Sequence, residues 1–353
     1  MEKKHLFGLT LEELGAVAAD IGMPRFAARQ MAAWLYAKRV TDIDGMTDIS
    51  LRHREMLKAT YDVGRTAPVR RAVSVDGTVK YLFEAGQGSY VESVYIPDGD
   101  RATLCVSSQV GCRMGCVFCM TGRQGFGGNL TTGGILNQIY SIPESEKLTN
   151  IVYMGMGEPM DNIDAVLHSL RIMTSGYGPA WSPRRITVST AGVRKGLERF
   201  LNESECHLAV SLHAPLPAQR RELMPAERAW SIADIVEVLR GHDFSGQRRL
   251  SFEYIMFRGV NDSERDAKNI VRLLRGLDCR INLIRFHAIP GAPLQGSDEA
   301  TITSMRDYLT RHGIHTTVRA SRGQDIEAAC GMLSTKEQKA AHGTHDNQDN
   351  DTD

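Results

Sequence analysis

Thr103-Leu104-Cys105-Val106-Ser107 reads as a short strand, and Gly111-Cys112-Arg113-Met114-Gly115-Cys116-Val117-Phe118-Cys119 follows it as a loop. The loop cysteines stand in the spacing C-x3-C-x2-C, with glycines at two turning points. Three thiolates on one short loop can hold three irons of a 4Fe-4S cube and leave the fourth iron open to a small molecule. A zinc site ordinarily needs a fourth ligand, often in paired spacing. Cys105 lies seven residues upstream and Cys330 far downstream, so a four-cysteine zinc site stays open as an alternative that the spacing does not signal.

Outward from this stretch, strand-like and helix-like runs alternate from residue 101 to about 320. Strands are expected at 103–107, 151–154, 185–189, 207–212, 250–256, 280–284 and 315–318. Helical patterns cover 163–173, 233–239, 265–274 and 299–311. Alternation of this kind predicts a parallel sheet with crossover helices. About six such units make an open, partial barrel, whose reactive groups gather at the carboxyl ends of the strands. The cysteine loop stands where that rule places it. Upstream, residues 66–97 read as short strands, with Tyr81–Phe83 and Tyr90–Ile96 forming a hairpin. Residues 9–60 read as helices with starts near Thr10 and Ser50 and a break at Gly22-Met23-Pro24. Phe26, Met31, Trp34 and Leu35 are expected in their core, with Arg25, Arg29, Lys38 and Arg39 on or beside the exposed face.

The expected organisation is a helical, RNA-binding-like segment over 1–60, a β-hairpin extension over 61–98 and the α/β core over 99–333. A disordered acidic tail over 334–353 completes it. The chain has 353 residues, 42% of them hydrophobic, and a formal charge of zero. The tail carries two lysines against five acids, so the rest of the chain is net positive by three. Basic pairs occur at Arg70-Arg71, Arg184-Arg185, Arg220-Arg221 and Arg248-Arg249; each alone is more often a solvated face than a phosphate contact. With no apolar run of roughly 18 residues and no signal-peptide pattern, a cytoplasmic chain without membrane contact is expected. Seven cysteines are then free thiols rather than a disulfide framework.

A second ring of polar residues follows the later strands. Met154-Gly155-Met156-Gly157-Glu158-Pro159 comes after the second strand, where glycines admit a ligand's close approach and Glu158 offers a carboxylate to an ammonium group. Ser189-Thr190 ends the third strand, Ser211-Leu212-His213 ends the fourth, and Asn282 lies within the sixth. Their shared end of the sheet favours a ligand over isolated caps. Cys206 and Cys279 sit at strand starts and read as small buried hydrophobes. Cys330 differs, because it lies on a Gly-flanked loop beyond the last strand.

Together these residues resemble the radical S-adenosylmethionine (SAM) enzymes, and within them the RNA adenine carbon 2 methyltransferases of the RlmN type. The resemblance rests on Val91–Pro97, Cys105–Cys112, Cys119–Phe126, Gly155–Pro159, Pro183–Thr190 and Ser211–Pro215. Tyr254–Met256, Gly259–Asp262, Ile281–Ile284 and Ala328–Gly331 extend it, and it spans about residues 9–333. It implies a partial (β/α)6 TIM-like barrel of the radical SAM type, with a small N-terminal helical domain and a short β extension. Cys112, Cys116 and Cys119 would hold one 4Fe-4S cluster. Gly157, Glu158, Ser189, Ser211, Leu212, His213 and Asn282 would surround SAM, two molecules of which are used per turnover. Cys330 would carry the methyl group, Cys105 would be its thiol partner and Glu92 the general base. Carbon 2 of adenine is electron-poor and does not attack a sulfonium methyl, so a thiolate accepts the methyl first. A 5′-deoxyadenosyl radical from a second SAM then abstracts hydrogen from the S-methyl group. The carbon radical adds to adenine, and a disulfide between Cys105 and Cys330 forms as the product leaves.

The implied partners are 23S rRNA and tRNA, with an electron donor such as flavodoxin or ferredoxin, acting on a monomer. The target base has to leave its stack to reach a barrel interior. A sister type, Cfr, methylates carbon 8 of the same adenine, but Gly157-Glu158-Pro159 and Val91–Pro97 look more like the carbon 2 branch. A glycyl-radical activating enzyme would share the cysteine loop without needing Cys330 or Cys105. A plain iron-sulfur binding module would not need the ordered strand-end residues.

Overall fold

The computed structural model describes residues 3–326 apart from Gln87 and Gln247. Cys330 and the acidic tail lie outside the described residues. Ten strands pair into one sheet: β1 Arg70–Val73, β2 Val79–Glu84, β3 Tyr90–Asp98, β4 Arg101–Cys105 and β5 Asn150–Tyr153, then β6 Ile186–Thr190, β7 His207–Ser211, β8 Leu250–Met256, β9 Arg280–Arg285 and β10 His315–Val318. Spatial order follows chain order from edge β1 to edge β10. Strands β4 to β10 run parallel and β1 to β4 antiparallel. The expected hairpin extension is therefore a continuation of the core sheet rather than a separate layer.

Crossover helices join the parallel strands because their apolar stripes need the sheet for burial. Val166, Leu167 and Leu170 of one crossover, and Ile235, Val236 and Leu239 of another, are buried in the common core. After β10 the chain reaches the turns at the opposite end of the sheet. Arg322 donates to Asp98 Oδ1 (2.7 Å), the Gly323 amide donates to Asp76 Oδ2 (2.9 Å), and the Val75 amide donates to Asp325 Oδ2 (3.1 Å). Such bonds form only if the sheet curls. The curled sheet encloses a lumen of about 790 Å³, to which every strand from β3 to β10 contributes a side chain. The strap at 319–326 spans the gap that the open barrel leaves.

The N-terminal helices begin as the sequence predicts. Thr10 and Glu13 form a reciprocal capping box at the start of α1, Leu11–Asp20, and Ser50 caps α3, Leu51–Thr60. Between them, α2, Ala27–Ala32, continues into a π-type turn at Ala33–Ala37. Met31 and Leu35 are buried, but Phe26 is 61% exposed, contrary to the expected core position. It precedes the first turn of α2 and points away from the packing face. Arg25, Arg29 and Lys38 are exposed, whereas Arg39 is half-buried and bonded to Ser145. This segment packs on α4, Thr132–Tyr140, through the Phe7, Tyr36 and Tyr140 rings.

Candidate active site at the carboxyl ends of the strands

The cysteine loop leaves β4 and is held by its own backbone. Gly111 has φ +66°, and a Cβ there would stand 1.9 Å from the Gly125 carbonyl oxygen, so only glycine fits. The Cys112 amide donates to that same oxygen (2.7 Å), and the Cys119 amide donates to Cys116 O (3.1 Å). Phe118 packs edge-on against His213 at 4.8 Å and against Phe257 at 5.5 Å, which plugs the loop into the barrel end. Arg123 donates to the carbonyls of Pro290 and Gly291, both at 2.7 Å.

Cys112 is buried, and Cys116 and Cys119 are half-buried. Burial pushes Cys112 up to about 12, with further contributions from Glu158 and Cys119. Burial raises Cys116 as well, with Cys119 and Cys112 adding to it and Arg220 opposing. The three thiols thus sense one another, although among the described residues no three metal-ligating side chains are drawn into a closed set. The donors suit an iron-sulfur cluster: three soft sulfurs stand on one loop, and the buried Arg220 guanidinium favours the thiolate of Cys116 against its burial.

The second ring converges on the same end. Registers place Ser211, Glu253, Asn282 and Thr317 in one row across β7 to β10. Asn282 Nδ2 donates to Glu253 Oε1 (2.7 Å), and its Oδ1 accepts from Thr317 Oγ1 (2.7 Å), so its orientation is fixed. Ser189 lies on the same face one row lower, in register with Ala209 and Ser251. Gly157 adopts φ +94°, where a Cβ would meet the Gln109 side chain at 2.4 Å. Gln109 Oε1 accepts from the Glu158 amide (2.8 Å). The Glu158 carboxylate, 3% exposed, accepts from Met160 N (3.0 Å), Thr190 Oγ1 (2.7 Å) and Ala191 N (2.7 Å). It braces the loop after β6 as well as facing the ligand end. Burial pushes its pKa up to about 7 against those three donors.

His213 has φ +50°; its Nδ1 accepts from Ile255 N (3.0 Å) and its carbonyl from Asn261 Nδ2 (2.7 Å). Burial, reinforced by Arg220, lowers its pKa to about 3, so the ring is neutral with its proton on Nε2.

Arg220 and Glu227 are wholly buried and paired. The Arg220 guanidinium donates to the carbonyls of Leu212 (3.1 Å), Ala191 (2.8 Å) and Ser211 (2.8 Å), fixing the ends of β6 and β7. The basic pair Arg220-Arg221 is therefore divided: Arg220 is a buried brace and Arg221 is exposed.

Cys105 closes β4, is 8% exposed and lines the lumen as a free thiol. On neighbouring β3, Glu92 is wholly buried with Lys80 Nζ at 3.1 Å. Ser107 Oγ donates to the Glu92 carbonyl (2.5 Å) and accepts from Met156 N (2.9 Å), tying this strand to the Gly155–Pro159 turn. The structure thus gathers the cysteine loop, the Gly157-Glu158 turn, Ser189, Ser211–His213, Asn282, Cys105 and Glu92 at one end of the curled sheet, whereas Leu212 is buried in the hydrophobic core. Arg220, Glu253, Gln109 and Lys80 join them without a sequence motif. Cys206 and Cys279 are buried immediately before β7 and β9, as expected of core thiols.

Comparison with known proteins agrees with this architecture. Residues 106–271 match the radical SAM superfamily, and residues 4–63 match the ribosomal RNA large subunit methyltransferase N-terminal domain. A protein of Bacteroides fragilis named probable dual-specificity RNA methyltransferase RlmN is 64% identical over 97% of this chain and 99% of its own length. The dual-specificity RNA methyltransferase RlmN of Syntrophus aciditrophicus is 39% identical over 95% of this chain and 98% of its own length. The crystal structure of a radical SAM methyltransferase from Sphaerobacter thermophilus superposes with a TM-score of 0.86 at 40% identity, covering 93% of this chain and 98% of that one. Among the described residues no helix is long and apolar enough to cross a membrane. With both family models matched in order and relatives aligned nearly end to end, this chain belongs to the RlmN family of radical SAM RNA methyltransferases.

Proposed function

We propose that the protein is a SAM-dependent RNA methyltransferase that places a methyl group on carbon 2 of adenine in 23S rRNA and in tRNA. The observation that carries this reading is the union of a C-x3-C-x2-C loop and a lumen thiol, Cys105, on a chain that matches RlmN relatives along nearly its whole length. Cys112, Cys116 and Cys119 would hold the 4Fe-4S cluster, which when bound supplies the electron that converts SAM into a radical source. Gly157 gives the ligand backbone access, Glu158 supplies negative charge for its ammonium group, and Ser189, Ser211, Leu212, His213 and Asn282 line the rest of the pocket. Two SAM molecules serve each turnover.

The remaining roles belong to side chains of this chain. Cys330, as a thiolate, accepts a methyl group by displacement and later bears the adduct with adenine. That adduct, formed after the S-methyl group has lost a hydrogen atom, holds one unpaired electron; Glu92 takes its proton, and the surplus electron would return to the cluster that supplied it. Cys105 attacks the Cys330 sulfur, releases the methylated base and leaves a disulfide, which two electrons from a donor such as flavodoxin or ferredoxin reopen. The protein acts as a cytoplasmic monomer, with residues 1–60 adding RNA contacts.

Anaerobic reconstitution with iron and sulfide, followed by mass spectrometry of adenines in treated rRNA and tRNA, tests the proposal. Methyl on carbon 2 is expected; methyl on carbon 8 assigns the chain to the Cfr chemistry instead.

A further inference from the structure

Lys80 of β2 is wholly buried, and no step of the proposed reaction uses it. Burying an ammonium group is costly unless an anion compensates it. Here the anion is the Glu92 carboxylate of β3, also wholly buried, with Oε2 3.1 Å from Lys80 Nζ. Apolar side chains of similar volume often replace such a pair with no loss of stability. Stability alone therefore does not account for two charges in this wall.

Strand register sets the pair beside the lumen thiol. Lys80 is opposite Val94 and Val94 is opposite Cys105, so the three share one row across β2, β3 and β4. Val94, Ile96 and Cys105 line the lumen, and side chains alternate along β3, so Glu92 belongs to the same face. Because β3 runs antiparallel to β4, Glu92 stands one row nearer the cysteine loop than Cys105. The Ser107 hydroxyl, which bonds both the Glu92 carbonyl and the Met156 amide, holds that row against the Gly155–Pro159 turn.

The other charged and titratable groups of β1 and β2 are placed differently. Arg71 and Tyr81 pair on the opposite face of the sheet, where the Tyr81 hydroxyl donates to Glu144 Oε2 (2.6 Å). Arg70 shares the Glu92 row but stands two strands away, beyond Leu82, and is exposed. Lys80 is the cation in direct contact with Glu92.

We propose that Lys80 is a positioning residue for proton removal from the RNA adduct: it holds Glu92 as an oriented carboxylate within the lumen wall. This rests on the RNA methyltransferase reading above and adds to it the group that makes a buried acid usable as a base. A carboxylate shut away from water keeps its charge only beside a compensating cation. In the step itself the proton passes from carbon 2 to Glu92, and Lys80 keeps its own protons. Protonated Glu92 no longer balances the ammonium group. That imbalance drives Glu92 to give the proton up to water once the product has left, which restores the pair.

The test compares Lys80→Gln, which removes the charge and leaves a hydrogen-bond donor, with Lys80→Arg, which keeps the charge. Both are reconstituted full-length proteins whose iron content and thermal unfolding are checked first. The substrate is a ribosomal RNA fragment whose target adenine carries either hydrogen or deuterium at carbon 2. Lys80→Gln should slow methylation by about 100-fold or more, the scale of general-base catalysis. Proton removal then limits the rate, so deuterium should slow this variant by a larger factor than it slows the parent. Lys80→Arg should recover most of the rate and the parent's isotope ratio. A parental rate in Lys80→Gln overturns the assignment. So does a slow Lys80→Gln protein with the parent's isotope ratio, since the damage would then lie in another step, and so does an equal loss in Lys80→Arg. Infrared difference spectra between the parent and Glu92→Gln read the same point with Lys80 intact. The band lost should be that of a carboxylate, and a protonated carboxyl band in the parent overturns the proposal. Absence of methylation by the unaltered protein sinks the functional reading itself, whereas a methylating parent with an indifferent Lys80→Gln variant sinks the role of Lys80 alone.

Discussion

Glu227→Gln tests whether the buried Arg220 pair organises the ligand end of the barrel. The change keeps the side chain's shape and leaves an oxygen to accept the Ile232 amide, now at 3.0 Å, but removes the negative charge beside a fully buried guanidinium. Breaking a buried pair by removing one partner costs about 3 to 5 kcal/mol. Three carbonyls still accept from Arg220, so the low end, about 3 kcal/mol, is expected for this variant. Arg220→Met is harsher. It strands the Glu227 carboxylate and strips a donor from three carbonyls, each worth about 1 to 3 kcal/mol if left unsatisfied, so a loss above about 5 kcal/mol is expected. With both charges gone, the double variant should recover about 2 to 3 kcal/mol relative to the sum of the singles. Anaerobic urea unfolding followed by tryptophan fluorescence reads these differences, and Trp230, buried just beyond Glu227, reports the affected loop. A Glu227→Gln protein within 1 kcal/mol of the parent, or strictly additive singles, refutes the reasoning.

Other outcomes follow from the same geometry. Glu158 holds its proton up to about pH 7, so SAM affinity should fall as pH drops below that value, approaching tenfold per unit; calorimetric titration from pH 5.5 to 8.5 checks this, and a flat profile counts against an ammonium contact. Gly157→Ala forces a Cβ within 2.4 Å of Gln109 at φ +94°, so SAM binding should weaken and stability fall by about 2 kcal/mol or more. Phe118→Ala removes the ring contacts with His213 and Phe257, about 3 kcal/mol of packing, and iron content after reconstitution should drop. Cys105→Ser should trap RNA on the protein as a covalent adduct visible on denaturing gels; free methylated product from that variant would exclude the thiol's release role.

Much of this was legible in the chain because it depends on local pattern. Strand limits moved by only a residue or two; the strand expected at 103–107 ends instead at Cys105, which sets that thiol in the lumen wall. The Thr10 cap and the break at Gly22 were written in residue types with a local mechanism. Arg220 was hidden because adjacent residues on the helix Pro217–Leu223 face different directions. A basic pair therefore says nothing about which member is buried. Lys80 and Glu92 lie on paired strands, and Glu253 meets Asn282 across a parallel register; neither pairing has a sequence-local signature. Phe26 misled for the reverse reason, since its apolar character fits the helical stripe but it stands before the first turn. The fusion of the hairpin with the core sheet depends on β3 pairing with β4, which a turn at 99–100 permits but does not announce.

Whether Cys330 carries the methyl group is read by peptide mass mapping of its segment after anaerobic incubation with labelled SAM. Labelled S-methyl is expected on Cys330, and on adding RNA, transfer of that label to carbon 2 of adenine. RNA methylated at carbon 2 while Cys330 stays unlabelled, or undiminished methylation by Cys330→Ala, would contradict it.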